Sequence, residues 1–253
     1  MKYIDIHTHP FKEYHVNPLE VVHNWKEQNM DKMFIVGTSK EDSIELLELC
    51  SHEKYLYPII GIHPTLANGK SDGDFLESII TKDVIGIGEI GLDYHYDDSP
   101  SKEIQKESFL AQLRVAKKHN IVGMLHLRDS LDDAFDIFTL DEFKNINIIL
   151  HSFSGDSNYV KKCLPYSNIY FSISGIVTFK NAQKTKDAVK EIPLDRIFCE
   201  TDSPYLAPVP MRGKENISPY VMYTYREIAN LKNVSEEFLV NQISKNVKKV
   251  FNI

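Results

Sequence analysis

The 253-residue chain sets 29 Lys and Arg against 36 Asp and Glu, a formal net charge of −7, which excludes a broad basic coat for nucleic acid but not a local charged cleft. Hydrophobic residues at 42% and charged residues at 26% exclude a disordered chain, and the length suits one large domain, read as 1–253, whose core needs no disulfide staples. Cys50, Cys163 and Cys199 are odd in number and far apart, which excludes a disulfide framework or a zinc ribbon and points to a reducing compartment.

The opening MKYIDIHTHP is too polar for a signal peptide, and no apolar run reaches the ~18 residues of a membrane helix; a cytoplasmic setting with no membrane partner is expected. Short apolar runs then recur along the chain. Strands are predicted at Tyr3–Ile6, Lys32–Gly37, Leu56–Ile62, Val84–Gly88, Ile121–Leu125, Ile146–Leu150, Ile169–Ile173 and Arg196–Cys199. Helical periodicity follows most of them. Ile44, Leu47 and Leu49 mark one helix; Phe109, Leu110, Leu113 and Ala116 mark another, with Gln112 and Arg114 on its polar side. Pro204, Pro208 and Pro210 punctuate a loop after Asp202, and helices are expected from about Tyr220 to Leu231 and Ser235 to Phe251.

Strand alternating with helix predicts a parallel sheet. Eight such units in this length fit an α/β fold of the (β/α)8 TIM-barrel type, the last helices being additions at its end. An open doubly wound sheet is the alternative. Its phosphate fingerprint is missing after the first strand, where His7-Thr8-His9-Pro10 stands. Gly86-Ile87-Gly88-Glu89-Ile90-Gly91 has the spacing of G-x-G-x-x-G, but a carboxylate inside that loop would repel a pyrophosphate.

His7 and His9 are two apart at a strand end, so they share one face. In a closed barrel that face is the interior, and two inward imidazoles form a metal-binding pair. Asp5 has the same parity one step deeper, where its carboxylate can support a ligand ring. Of the ten histidines, His7, His9, His63, His126 and His151 fall at predicted strand ends, the edge where barrel active sites lie. His15, His23, His52, His95 and His119 read as surface residues. Glu89 and Asp202 add carboxylates, which unlike an imidazole can bridge two cations. The pool His7, His9, Glu89, His126, His151 and Asp202 suffices for two divalent metals sharing Glu89 and Asp202, spaced by about 3.5–4 Å around a bridging hydroxide. The mixed nitrogen and oxygen set suits Zn, Mn, Co or Ni better than Mg.

These residues stand in a larger pattern: Ile4-Asp5-Ile6-His7-Thr8-His9, Gly61-Ile62-His63-Pro64, Gly88-Glu89-Ile90-Gly91-Leu92-Asp93-Tyr94, Q-x-x-x-F-x-x-Q over 105–112, His126-Leu127-Arg128, His151-Ser152-Phe153-Ser154-Gly155, Glu200-Thr201-Asp202-Ser203-Pro204-Tyr205-Leu206 and Arg212-Gly213-Lys214. With them the chain resembles the TatD family of metal-dependent deoxyribonucleases, within the amidohydrolase-like metal-dependent hydrolase superfamily, from Ile4 to about Phe251. The resemblance implies the (β/α)8 barrel, metal ligation by His7, His9, Glu89, His126, His151 and Asp202, a substrate-side role for His63, nuclease activity and a cytoplasmic setting. Departures lie nearby. Thr65 stands where the family often has a second His after His-Pro, Pro10 and Phe11 stand where it has Leu-Asp, and Glu215, Asn216, Ile217 and Ser218 replace its Arg-Asn-Glu-Pro. None falls on the six ligand positions.

Around this centre His63 is expected to bond a phosphate oxygen or protonate the leaving oxygen, and Arg128 to grip phosphate through two nitrogens. Tyr205, Arg212 and Lys214 lie in the loop after the eighth strand as a lid or phosphate grip; Tyr94 and Phe153 are candidates to stack a base. Asp93 can orient Arg128 or a ligand His, or cap a turn, and Glu200 lies one layer below Asp202 as a supporting carboxylate. The sequence thus predicts a hydrolase with catalytic Glu89, His63 and Asp202. Its expected partner is DNA or an oligonucleotide cleaved at single-stranded or frayed 3′ ends, and no obligate protein partner is implied. Hydrolysis of an ester or amide, such as an aminoacyl ester on RNA, is the alternative chemistry, and a non-catalytic metal-binding scaffold the alternative class.

Overall fold

The computed structural model describes all residues, Met1–Ile253. Its strands are β1 (Tyr3–Thr8), β2 (Met30–Val36), β3 (Leu56–Ile60), β4 (Gly86–Asp93), β5 (Val122–Arg128), β6 (Ile148–Leu150), β7 (Ile169–Ile173) and β8 (Ile197–Cys199). They pair in parallel in the order of the chain. The ring closes where Thr8 meets Ser203: the His9 N–H donates to the Ser203 carbonyl at 2.9 Å and the Asp202 N–H to the His7 carbonyl at 3.0 Å. This is the expected (β/α)8 barrel, and it excludes the open doubly wound sheet. No helix is long and apolar enough to cross a membrane.

Helices α1 (Pro18–Glu27), α2 (Lys40–Ser51), α3 (Ser71–Ile79), α4 (Lys102–His119), α5 (Leu131–Phe138), α6 (Ser157–Cys163) and α7 (Gln183–Glu191) alternate with the strands. The last two, α8 (Val221–Lys232) and α9 (Glu236–Phe251), follow β8 and fall close to their expected bounds. The ring of Phe251 on α9 meets Phe34 of β2 at 4.7 Å and Phe198 of β8 at 6.0 Å, which fixes the final helix over the barrel wall. Helix α4 shows why such a segment is helical. Ser101 caps it by accepting from the Ile104 N–H, three basic residues end it, and Asn120 leaves it in the left-handed region.

Several local expectations are corrected. Strand β4 starts at Gly86 and runs on to Asp93, so Glu89 lies inside the strand and not after it; pairing with β5 continues through Asp93 and Arg128. Gly91 makes this possible: at φ +141°, a Cβ there would stand 2.1 Å from the His126 carbonyl oxygen. Helix α2 buries Leu46 and Leu49 but leaves Ile44 exposed. Gln112 is buried, not on a polar face, and His15 is half-buried with its ring edge-on to Trp25.

Candidate metal centre at the carboxyl end of the barrel

Strand alternation sends Asp5, His7 and His9 of the first strand segment to the interior, with Met124 and His126 of β5 beside them. The Nε2 atoms of His7 and His9 face each other at 3.0 Å. His9 Nδ1 donates to the Val36 carbonyl at 2.7 Å, which leaves its Nε2 lone pair directed inward. Glu89 Oε2 lies 3.4 Å from His7 Nε2 and 3.8 Å from His9 Nε2. Asp202 Oδ1 lies 3.4 Å from His9 Nε2 and 3.8 Å from His7 Nε2. The other Glu89 oxygen, Oε1, lies 2.6 Å from His126 Nδ1 and 3.3 Å from His151 Nε2. All six predicted ligand positions therefore converge, with Glu89 at the centre and its two oxygens turned to different imidazoles.

The surroundings hold these rings. Glu200 Oε1 lies 2.9 Å from His151 Nδ1 and accepts from the Ser152 N–H at 2.7 Å. Asp93 Oδ2 lies 3.0 Å from His126 Nε2, and its Oδ1 accepts from the His95 N–H. Buried Asp5 accepts from the N–H groups of His7 and Thr201 and from the hydroxyls of Thr201 and Ser218, tying β1 to the segment after β8. Burial is the main force on its carboxyl and pushes it up to about 7.

Two glutamines of α4, seven residues apart, act as amide clamps. Gln112 accepts from the Ile62 N–H at 2.8 Å and donates to the Ile62 carbonyl at 3.0 Å. Gln105 does the same at Asp93, at 2.9 and 3.0 Å. One clamp thus fixes the peptide before His63 and the other the residue that holds His126. Gly61 lets the chain pass below: a Cβ there would stand 2.4 Å from the Gly88 carbonyl carbon, beside Glu89.

The donor set fits divalent metal ions. Every ion-pair partner of Glu89 and Asp202 is a histidine nitrogen, with no lysine or arginine among them. A buried carboxylate and a second, half-buried one in such a setting need a positive charge. Without metal it sits on the imidazoles. Burial opposes charge on His126, yet bonds with Asp93 and Glu89 outweigh it and raise the ring to about 9. Burial also opposes charge on His151, but Glu200, Glu89 and Asp202 hold it well above its ordinary value. His9 is raised against burial by Asp202 and Glu89, whereas burial and the charge of His151 push His7 down to about 3. Burial alone would raise Glu89; His151, His126 and His7 hold it well below the usual range. Divalent ions satisfy the same carboxylates once these rings give up their protons.

Above the centre opens a cleft of about 900 Å³ lined by His63, Thr65, Arg128, Lys184 and Tyr205 among others. His63 Nδ1 is held by the Thr65 hydroxyl at 2.7 Å, and the Thr65 N–H approaches it at 3.3 Å. With Nδ1 accepting, His63 Nε2 carries the proton and faces Glu89 Oε1 at 3.7 Å. Burial and the charge on His126 push this ring down to about 3. Thr65, a departure from the resemblance, is thus the residue that sets the His63 tautomer.

Other sequence candidates lie apart. Phe153 is buried against Phe171 and presents no face to a base. Tyr94 sits in a side cavity of about 370 Å³, its hydroxyl on Asp133 and Lys102 over its ring. Arg212 stacks on Phe179 at 4.2 Å, and Arg212 and Lys214 are exposed outside the lining of the cleft. The sequence reading missed Tyr96, which lines the cleft and accepts from Arg128 Nη1 at 3.0 Å, and Lys184, which lines it with no acidic partner. Neither carries a sequence signal: Tyr96 lies in the loop after β4 and Lys184 in the first turn of α7.

Over residues 4–252 the chain matches the family described as TatD related DNase. The chain belongs to the TatD family. It is 36% identical over 253 residues, 98% of each chain, to the uncharacterized metal-dependent hydrolase YabD of Bacillus subtilis. It is 37% identical over 264 residues, 99% of each, to the uncharacterized metal-dependent hydrolase MG009 of Mycoplasma genitalium. Its fold matches the crystal structure of the TatD homologue YJJV from Escherichia coli with a TM-score of 0.90, over 99% of this chain and 98% of that one, at 23% identity. This TatD-family protein is accordingly a metal-dependent hydrolase.

Proposed function

We propose that this TatD-family hydrolase cleaves phosphodiester bonds of DNA, as an exonuclease acting on single-stranded or frayed 3′ ends, with two divalent metal ions held by His7, His9, Glu89, His126, His151 and Asp202. The observation that carries the reading is the division of Glu89: Oε2 faces His7 and His9 while Oε1 faces His126 and His151, the arrangement of a carboxylate shared between two cations. Bound divalent ions supply Lewis acidity, activating water as a nucleophile and drawing charge from phosphoryl oxygens.

The chain's own groups do the rest. Arg128 has no carboxylate partner and binds a phosphoryl oxygen when it swings from Tyr96; Lys184 adds a second unpaired cation on the cleft wall. His63, its ring fixed by Thr65, donates from Nε2 to an oxygen of the scissile phosphate. Water adds to phosphorus in line, the bond to the 3′ oxygen breaks, and that oxygen takes up a proton. A narrow cationic wall on an acidic molecule suits a few nucleotides at a chain end better than duplex.

The test is digestion of single-stranded oligonucleotides labelled at either end, beside neutral ester and amide substrates, with and without added metal. Stepwise, metal-dependent loss from the 3′ end is expected. Preferential turnover of a neutral ester or amide overturns the reading.

A further inference from the structure

Two aromatic side chains on the cleft wall stay open to solvent: Tyr96 is 49% exposed and Tyr205 is 52% exposed. Tyr96 lies in the loop after β4, Tyr205 in the segment after β8. In a ring of eight strands ordered as in the chain, these loops stand four strands apart, on opposite sides of the mouth. Glu89, carried by β4, and Asp202, after β8, lie below them.

Each tyrosine is held by residues close in the chain to the proposed metal ligands on its own side, or by their backbone. The Arg128 guanidinium lies 5.1 Å from the Tyr96 ring centre and donates to its hydroxyl, and Arg128 is two residues past His126. The His95 ring stands edge-on to Tyr96 at 5.0 Å. The Tyr205 N–H donates to the Asp202 carbonyl at 2.9 Å, its carbonyl accepts from Asn216 Nδ2, and its hydroxyl pairs with that of Tyr14 at 2.5 Å. An apolar ring left half in water while its polar end is tied down is a preformed surface for a flat partner.

We infer that Tyr96 and Tyr205 are stacking platforms for the bases on the two sides of the scissile bond. The substrate is then a short single strand with a base on each flank, selected by stacking and not by base identity. This assignment rests on the phosphodiester reading above and gives that site its substrate class. It also moves the stacking role away from Phe153, whose ring is buried, and from Tyr94, which lines a separate side cavity and not the cleft above the metal centre.

The experiment uses the metal-loaded full chain and three dinucleotide substrates: one complete, one abasic on the 5′ side of the cleaved bond, one abasic on the 3′ side. For the wild type, each missing base should raise KM roughly tenfold. Tyr96→Ala should raise KM similarly on the complete dinucleotide and lose its sensitivity to one of the two abasic positions. Tyr205→Ala should lose sensitivity to the other, and Tyr96→Phe and Tyr205→Phe should retain both. The inference is overturned if the alanine variants discriminate against both abasic substrates as the wild type does, or if the phenylalanine variants behave like alanine. Failure of the phosphodiester reading looks different: the wild type would leave the complete dinucleotide intact, and the assignment falls with it.

Discussion

The side-chain amide of Gln112 closes a two-point hydrogen-bonded pair with the peptide of Ile62, one residue before His63. The clamp comes from a helix outside the barrel and fixes a strand end inside it. Gln112→Leu keeps the bulk and removes both bonds, leaving a buried N–H and carbonyl unpaired. Chemical denaturation should show a loss of about 1–3 kcal/mol, with turnover falling because His63 is no longer held. Unchanged stability would show that water or a neighbour replaces the clamp.

Thr65→Val removes the hydroxyl that holds His63 Nδ1. The ring then samples its other tautomer, and kcat should fall several-fold while KM stays within about twofold. Steady-state kinetics on one substrate separates this from a loss of binding.

Arg128→Ala should weaken turnover of phosphate-bearing substrates much more than of a neutral ester, since the guanidinium acts on charge. Equal losses on both would assign Arg128 a packing role with Tyr96 instead.

Metal uptake should release protons. In the metal-free protein His126 is raised to about 9, so at pH 7.5 it carries a proton that a ligand must shed. Calorimetric titration in buffers of different ionisation enthalpy should show proton release at pH 7.5, with the His126 share vanishing above about pH 9. The linked stability of the metal-free chain has a definite sign. The folded-state value lies above that of the unfolded chain, so the contribution is complete below ~6.5 and is lost as pH rises through about 9.

The fold and the six converging residues were legible because both are written in local sequence. Strand parity puts His7 and His9 on one face, and a parallel barrel collects the strand ends where His126, His151 and Asp202 stand. What escaped depends on contacts between distant segments. Gln112 looks like a polar helix residue until Ile62 is placed against it. Glu89 looked terminal because the continuation of β4 depends on its pairing with β5. Phe153 and Tyr96 are both aromatic residues beyond strand ends, and only packing shows that the first is buried against Phe171 while the second is open.

The central claim is that one carboxylate, Glu89, joins two groups of imidazoles into a single metal centre. Elemental analysis of metal-reconstituted protein, wild type beside Glu89→Gln, tests it most directly, because the amide keeps the shape and removes the charge. About two equivalents are expected in the wild type, with most of that content and the hydrolytic activity lost in the variant. Equal metal content in the two proteins, or a wild type that retains none, would contradict the account.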